Sequence, residues 1–204
     1  MIKIHNFPRG ARGLRAMWVC EEMGLPYQAV KVTFPPSEAY LKLNAMGAVP
    51  FLEDGDVAIN ESVAIMLYLA QKYGPTPLLP EKSDPAFARV LQMTVFSEAT
   101  IGGGLNALMD AHFGAPDADK RNWSVRTLEG RVEKALNYVE GILGDEPYLA
   151  GKNFTLADIA ISTALGIRQG ALGQATPPKL AAYRDRLAER PAYSRARAKA
   201  HEGA

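Results

Sequence analysis

The residues with the clearest chemical potential are Asn60, Glu61 and Ser62, which lie where an apolar strand pattern changes into a helical one. The first backbone N–H groups of a helix have no partner within it, and the helix dipole makes them attractive to an anion. Ser62 adds a hydroxyl donor for a carboxylate, and Glu61 supplies a negative charge for a neighbouring ammonium. Together they suit the head of an amino acid. The alternative is that Asn60 and Ser62 only cap the helix.

Val49 and Pro50 form a second candidate, because a proline directly before a strand cannot donate to the ladder and often marks an edge or a cis bond. An ordinary trans turn is the alternative, since only about 5 to 6% of X-Pro bonds in folded proteins are cis. If the bond is cis, Val49 can present its N–H and C=O outward. An extended peptide could then pair with this backbone in an antiparallel manner.

Around these residues the sequence predicts two domains of different type. The first contains strands at 2–6 and 27–33, helices at 14–23 and 38–44, a hairpin around the turn 54–56, and a helix after Asn60. The order βαβ, α, ββα is typical of an α+β, thioredoxin-like sandwich of a mixed sheet and helices. Four prolines within residues 74–85 then indicate an extended linker. We expect a thioredoxin-like domain at 1–76, a linker at 77–85 and an all-α helical-bundle domain at 86–204.

The second domain shows only helical patterns, at 86–109, 123–143 and 156–168, with shorter pieces beyond. Three glycines at 102–104 interrupt the first of these helices, either to make room for a substrate or to allow close helix packing. Thr155 and Asp158 form a capping-box pattern at the start of the most apolar helix.

Composition excludes several kinds of partner. The 23 basic and 22 acidic residues leave a formal charge of +1, so no overall field attracts nucleic acid or an anionic membrane. No apolar run approaches the roughly 20 residues that span a bilayer. Cys20 is the single cysteine, which fits a reducing compartment, and we expect a cytoplasmic protein. His5, His112 and His201 lack metal-ligand spacing, so we expect no metal site. The basic stretch 184–199 is interpreted as a solvated helical face.

Two separated segments resemble the cytosolic, bacterial-type glutathione S-transferase family. The first runs through residues 43–55 (LNAMGAVPFLEDG) and continues with Glu61-Ser62-Val63-Ala64-Ile65 and Tyr68-Leu69. The second is GKNFTLADI at residues 151–159, which resembles the capping-box segment of the family. The resemblance therefore extends over nearly the whole chain.

This resemblance implies a fold and a set of contacts. Pro50 would be cis, Val49 would pair with the cysteinyl backbone of glutathione, and Glu61 and Ser62 would hold its γ-glutamyl group. Glutathione would be the co-substrate, a small hydrophobic electrophile would be the second partner, and the protein would form a homodimer.

The sequence departs from the family at the residue that activates the thiol. Relatives usually carry Tyr, Ser or Cys near the end of the first strand, whereas the corresponding positions here fall on Asn6 and on residues 10–12. Lowering a thiol pKa by about two units requires roughly 2.7 kcal/mol of thiolate stabilisation. Our hypothesis is that the Asn6 amide donates to the thiolate while Arg12 or Arg9 adds positive charge. Alternatively, Asn6 only shapes the loop and both arginines are solvated.

The leading interpretation is an enzyme that directs the thiolate of glutathione at an electrophile in an apolar cleft. One alternative is a non-catalytic module of the same fold that binds glutathione or a protein partner. The other is a glutathione-dependent peroxidase or disulfide reductase. Fold alone does not choose among them.

Overall fold

A mixed four-stranded sheet forms the centre of the N-terminal half in the computed structural model, which describes residues 1–8 and 10–201. The strands are β1 (Ile2–Asn6), β2 (Tyr27–Lys31), β3 (Phe51–Asp54) and β4 (Val57–Asn60). Their spatial order is β2-β1-β3-β4, with β1 parallel to β2 and antiparallel to β3, and β3 antiparallel to β4. The predicted α+β thioredoxin-like arrangement is confirmed.

Nine α-helices accompany the sheet in the described part of the chain. They are α1 (Ala11–Met23), α2 (Glu38–Leu43), α3 (Ser62–Lys72), α4 (Ala86–Phe96), α5 (Gly103–Gly114), α6 (Trp123–Leu143), α7 (Leu156–Leu172), α8 (Pro178–Ala188) and α9 (Pro191–His201). Two helix ends have the cap residues that their local chemistry favours: α1 ends at Gly24 with a φ of 64°, and the Ser37 hydroxyl accepts from the Tyr40 N–H at the start of α2. None of these helices is both long and apolar enough to cross a bilayer.

The chain divides into two compact units. Unit 1 contains Met1–Leu79 together with the residues from Leu187 onward, and unit 2 contains Pro80–Arg186. Unit 1 is therefore built from both ends of the chain. The domain limits expected from the sequence, 1–76 and 86–204, stay a prediction.

Unit 2 is helical, and its most buried element is α7. Residues 156–165 of α7 are buried without exception, as its all-round apolar pattern predicts. The predicted capping box is present, because Thr155 and Asp158 exchange side-chain and backbone hydrogen bonds at the start of α7. Between α4 and α5 the helix continues through one π-helical segment, Ser97–Gly102. A Cβ at Gly104 would lie 2.7 Å from Val132 Cγ2, so this glycine allows α5 and α6 to pack closely.

The interpretation of the basic stretch near the C-terminus as a solvated face holds only in part, because three of its residues make ion pairs with α1. Arg190 makes two hydrogen bonds to the Glu22 carboxylate, at 2.6 and 2.8 Å. Arg195 and Lys199 both pair with Glu21, at 2.7 and 2.9 Å. These ion pairs attach α9 and the residue before it to α1 within unit 1.

Asp54, at the end of β3, connects the sheet to α3. Its Oδ2 accepts hydrogen bonds from Tyr68 at 2.9 Å, Lys72 at 2.8 Å and Tyr73 at 2.6 Å. Burial opposes ionisation of Asp54, but the three donors outweigh it, so the pKa of this carboxyl lies below its ordinary value of 3.8.

We expect this network to make stability depend on pH at the acidic end. Because the folded-state pKa of Asp54 is lowered, its contribution is fully present above the unfolded value of 3.8 and is lost as the pH falls through the folded-state pKa. Urea unfolding between pH 3 and pH 7 should therefore give a smaller pH dependence for Asp54→Asn than for the native protein. An equal slope in both proteins would contradict the assignment.

Candidate functional site

The strand register brings the predicted site residues to one end of the sheet. His5 is paired with Phe51, and Phe51 is paired with Asn60. The carboxyl ends of β1 and β4 therefore meet the amino end of β3. The segment after Asn6, the dipeptide Val49-Pro50 and the dipeptide Glu61-Ser62 all leave the sheet at this end.

Glu61 occupies an unusual position between β4 and α3. Its φ is 68° and its ψ is 105°. Among the residues that the structure describes, it is the only non-glycine residue with a positive φ. Such a backbone is strained, and strained residues cluster at binding and catalytic sites. The N-cap of α3 is Glu61. The alternative from the sequence, in which Asn60 caps this helix, is therefore wrong, because Asn60 is the last residue of β4. The Glu61 side chain is exposed, and no described side chain caps the N–H groups of α3.

Arg15 is a functional candidate that the sequence reasoning missed. It lies in the middle of α1 with no exposed surface, and its Nη1 donates to Ser62 Oγ at 2.9 Å. Because Ser62 accepts this bond, its own O–H remains a donor. The arrangement places a buried cation directly behind the first residue of α3. The available signal was a charged residue within an apolar helical run, since buried arginines need partners.

The loop before Pro50 is held in place by side chains of α2 and the residue after it. Tyr40 Oη and Asn44 Nδ2 both donate to the Ala48 carbonyl, at 2.7 and 2.8 Å. The Val49-Pro50 peptide bond is cis, as the resemblance implies. Within residues 1–8 and 10–201, no hydrogen bond to the N–H or C=O of Val49 is made. The backbone of Val49 can therefore accept a peptide partner.

Asn6 lies at the end of β1 and is buried, with 4% of its surface exposed. Its Nδ2 donates to the Gly10 carbonyl at 3.0 Å, and its Oδ1 has no partner among the described residues. The amide rests directly on the backbone of Gly13, where an added Cβ would overlap it. Asn6 thus fixes the start of α1, and its direct donation to a thiolate stays a prediction.

Arg12 lies in the first turn of α1 and is partly exposed. No described side chain caps this helix, so its first N–H groups and its positive dipole end are directed at the same end of the sheet. Arg9, the other candidate cation, lies outside the described residues. Cys20 is buried in α1, and burial raises the pKa of its thiol to about 12, which disfavours the thiolate form.

The comparisons with known proteins point to the same family in both halves of the chain. Residues 12–72 match the family model for the glutathione S-transferase N-terminal domain, and residues 105–191 match that for the C-terminal domain. Glutathione S-transferase 3 of Zea mays is 30% identical over 221 residues, covering 95% of this chain and 92% of the relative. A glutathione transferase structure from Methylococcus capsulatus is 26% identical with a TM-score of 0.85, covering 98% of each chain. A Phanerochaete chrysosporium transferase, URE2P6, whose structure contains oxidized glutathione, is 23% identical with a TM-score of 0.84, covering 98% of this chain and 97% of that one.

Proposed function

Because this chain belongs to the glutathione S-transferase family, we propose that it binds glutathione at the described end of the sheet and directs the thiolate at a hydrophobic electrophile. The observation that carries the proposal is the arrangement at the start of α3. There the exposed carboxylate of Glu61, the Ser62 hydroxyl and the cation of Arg15 come together at an uncapped helix end.

The γ-glutamyl end of glutathione is an amino-acid head with both charges. In our proposal its carboxylate accepts from the Ser62 hydroxyl and the first N–H groups of α3, while Arg15 supplies positive charge from behind. Its ammonium pairs with Glu61. The strained backbone of Glu61 supports this role, because it directs the side chain outward rather than back to cap the helix.

The cysteinyl residue of glutathione would pair with Val49 through the backbone N–H and C=O. This contact recognises a peptide without reading its side chain. The bonds from Tyr40 and Asn44 to Ala48 hold the loop, so little ordering would be required on binding.

We propose that the thiolate is stabilised jointly by the amino end of α1 and by Arg12. A helix N-terminus and a neighbouring cation both lower thiol pKa values. Asn6 contributes by fixing the Gly10 carbonyl and the first turn of α1, and its remaining N–H is the candidate direct donor. These groups would take the place of the missing Tyr, Ser or Cys.

The proposal is tested by calorimetric titration with glutathione, followed by ultraviolet titration of the bound thiolate. We expect saturable binding and a bound thiol pKa well below its free value near 8.5. Arg12→Ala and Asn6→Ala should each raise that pKa, by roughly one unit for the loss of one charge-assisted contact. Arg126→Ala, which removes an exposed charge from α6 in unit 2, is the matched control.

Unchanged thiolate titration in both variants would refute the assignment of Arg12 and Asn6. Absence of glutathione binding would refute the function and leave a non-catalytic module. Assays with a chloronitroaromatic and with a hydroperoxide then separate conjugation from peroxidase or reductase chemistry.

We further propose the homodimer that the family resemblance implies. A partly apolar groove of about 640 Å³ on unit 2, bordered by Phe96, Leu128 and Tyr138, is the surface where we expect the second copy. Tyr138 is 42% exposed, as expected for a residue that a partner covers. Elution at the 22.1 kDa of one chain would contradict this proposal.

A further inference from the structure

Two glycines lie at the start of α1, Gly10 at the N-cap and Gly13 in the first turn. Their backbone conformation does not require glycine, because Gly10 has a φ of −66° and Gly13 is not among the glycines with a positive φ. Alanine is also more favourable than glycine inside a helix. A constraint other than backbone conformation therefore acts at these two positions.

The space beside both glycines is filled by the carboxamide of Asn6. A Cβ at Gly13 would overlap the Asn6 Oδ1 and Cγ atoms and would lie 2.8 Å from Nδ2. A Cβ at Gly10 would lie 2.5 Å from the same Oδ1 and 2.9 Å from the Phe7 carbonyl oxygen. Real Cβ atoms do not approach other atoms this closely. Gly10 and Gly13 thus form a slot that contains the carboxamide, which we call the Asn6 slot.

Hydrogen bonding explains only one side of the amide in this slot. Asn6 is buried, and its Oδ1 has no donor among the residues that the structure describes. An unpaired buried acceptor is costly, and such a group in a native protein needs a specific reason. The steric fit between the two glycines holds this side of the amide in place.

The amide connects the sheet to the first turn of α1. The Asn6 carbonyl accepts from the Val32 N–H at 2.9 Å, so the backbone of Asn6 is fixed against the residue that follows β2. Its Nδ2 donates to the Gly10 carbonyl at 3.0 Å, and the Leu14 N–H donates to the same carbonyl at 3.4 Å. The position of the Asn6 amide therefore determines where the first N–H groups of α1 lie.

We propose that Gly10 and Gly13 are positioning residues for thiolate stabilisation. Because they leave room for the Asn6 carboxamide, they fix the amino end of α1 at the place where it stabilises the thiolate of glutathione. The influence of a helix end falls off within its first turn, so a displaced first turn stabilises the thiolate less. This role rests on the proposed function, and both glycines act through Asn6 rather than by touching glutathione.

The experiment compares Gly13→Ala, Asn6→Ala and the double variant Asn6→Ala/Gly13→Ala by ultraviolet titration of the bound glutathione thiol. A methyl group at position 13 displaces the Asn6 carboxamide, so Gly13→Ala should raise the pKa of the bound thiol as much as Asn6→Ala does, by roughly one unit. The double variant should show no further rise, because the amide that the methyl group displaces is absent.

Melting temperatures measured without glutathione test the Asn6 slot itself. Gly13→Ala alone should lower the melting temperature, because the added methyl group overlaps a buried amide. The same substitution in the Asn6→Ala background should raise it by about 2 °C, since the overlap is gone and alanine favours the helix. Gly130→Ala in α6, where an added Cβ meets nothing within 4 Å, is the matched control. It should raise the melting temperature and leave the pKa of the bound thiol unchanged.

Three results would overturn the proposal. They are a native thiol pKa in Gly13→Ala or in Asn6→Ala, pKa rises that add in the double variant, and a melting-temperature change of the same sign in both backgrounds. If Gly13→Ala does not fold but the double variant does, the Asn6 slot is supported. If the native protein does not bind glutathione, the proposed function and the thiolate role both fail, while the melting temperatures still decide whether the slot exists.

Discussion

Asp158→Ala should lower the free energy of unfolding of unit 2 by roughly 3–5 kcal/mol, the largest effect of a single substitution that we expect in this chain. The Asp158 carboxylate is buried and accepts four hydrogen bonds, from the N–H of Leu149, the N–H and hydroxyl of Thr155, and the hydroxyl of Tyr183. Alanine would leave four buried donors without an acceptor. It would also remove the capping box from α7, the most buried helix of the unit.

Chemical unfolding followed by circular dichroism measures this effect. Asp158→Asn should recover only part of the loss, because an amide can accept at one oxygen and places an N–H₂ group opposite a donor. Tyr183→Phe should cost less, since it removes a single bond. Asp145→Ala, at a fully exposed aspartate in the same unit, is the control and should change stability little. A loss of under about 1 kcal/mol in Asp158→Ala would show that the network is not coupled to folding.

Arg15→Met should weaken glutathione binding by about 10- to 100-fold, the second large effect, which rests on the proposed function. The guanidinium of Arg15 is fully buried and donates to Ser62 Oγ at 2.9 Å. The substitution removes the positive charge behind the γ-glutamyl carboxylate. It also removes the hydrogen bond that orients the Ser62 hydroxyl. Hydrogen bonds to charged groups contribute roughly 1.5–3 kcal/mol, which corresponds to this range of affinity.

Calorimetry with glutathione and an unfolding curve are both needed, because a buried arginine also affects stability. Ser62→Ala keeps the cation and removes the hydroxyl, so it should weaken binding while leaving most of the fold stability. Arg15→Lys should restore part of the affinity, because the charge remains. If Arg15→Met folds and binds glutathione with native affinity, Arg15 is only a packing residue. If the native protein does not bind glutathione, the proposed function fails instead.

Local signals predicted much of the fold and the position of the site. Gly24 and Ser37 end and start helices through their own backbone and side-chain chemistry, and the Asp54-Gly55-Asp56 turn fixes the β3–β4 hairpin. Once the hairpin is known, Val49-Pro50 and Glu61-Ser62 must lie at the same sheet end. The sequence could thus locate the candidate binding site, because the register of the β3–β4 hairpin is set by short-range interactions.

The features that sequence reasoning missed all depend on distant partners. The positive φ of Glu61 is not encoded by its residue type, since glutamate does not favour that region. Arg15 becomes part of the site only because α1 packs against α3, 47 residues further along the chain. The local pattern of the basic stretch near the C-terminus indicates a solvated face, because the acidic partners of Arg190 and Arg195 precede them by 168 and 174 residues.

Because α9 packs on α1, unit 1 can finish folding only after α9 has been synthesised. Trp18 of α1 contacts Tyr193 of α9, Glu21 pairs with Arg195 and Lys199, and Glu22 pairs with Arg190. During synthesis on a ribosome, the sheet and α1 emerge early, but this surface of α1 stays uncovered until residues 190–199 have left the exit tunnel. A fragment that stops at the linker would therefore expose Trp18 and two uncompensated carboxylates.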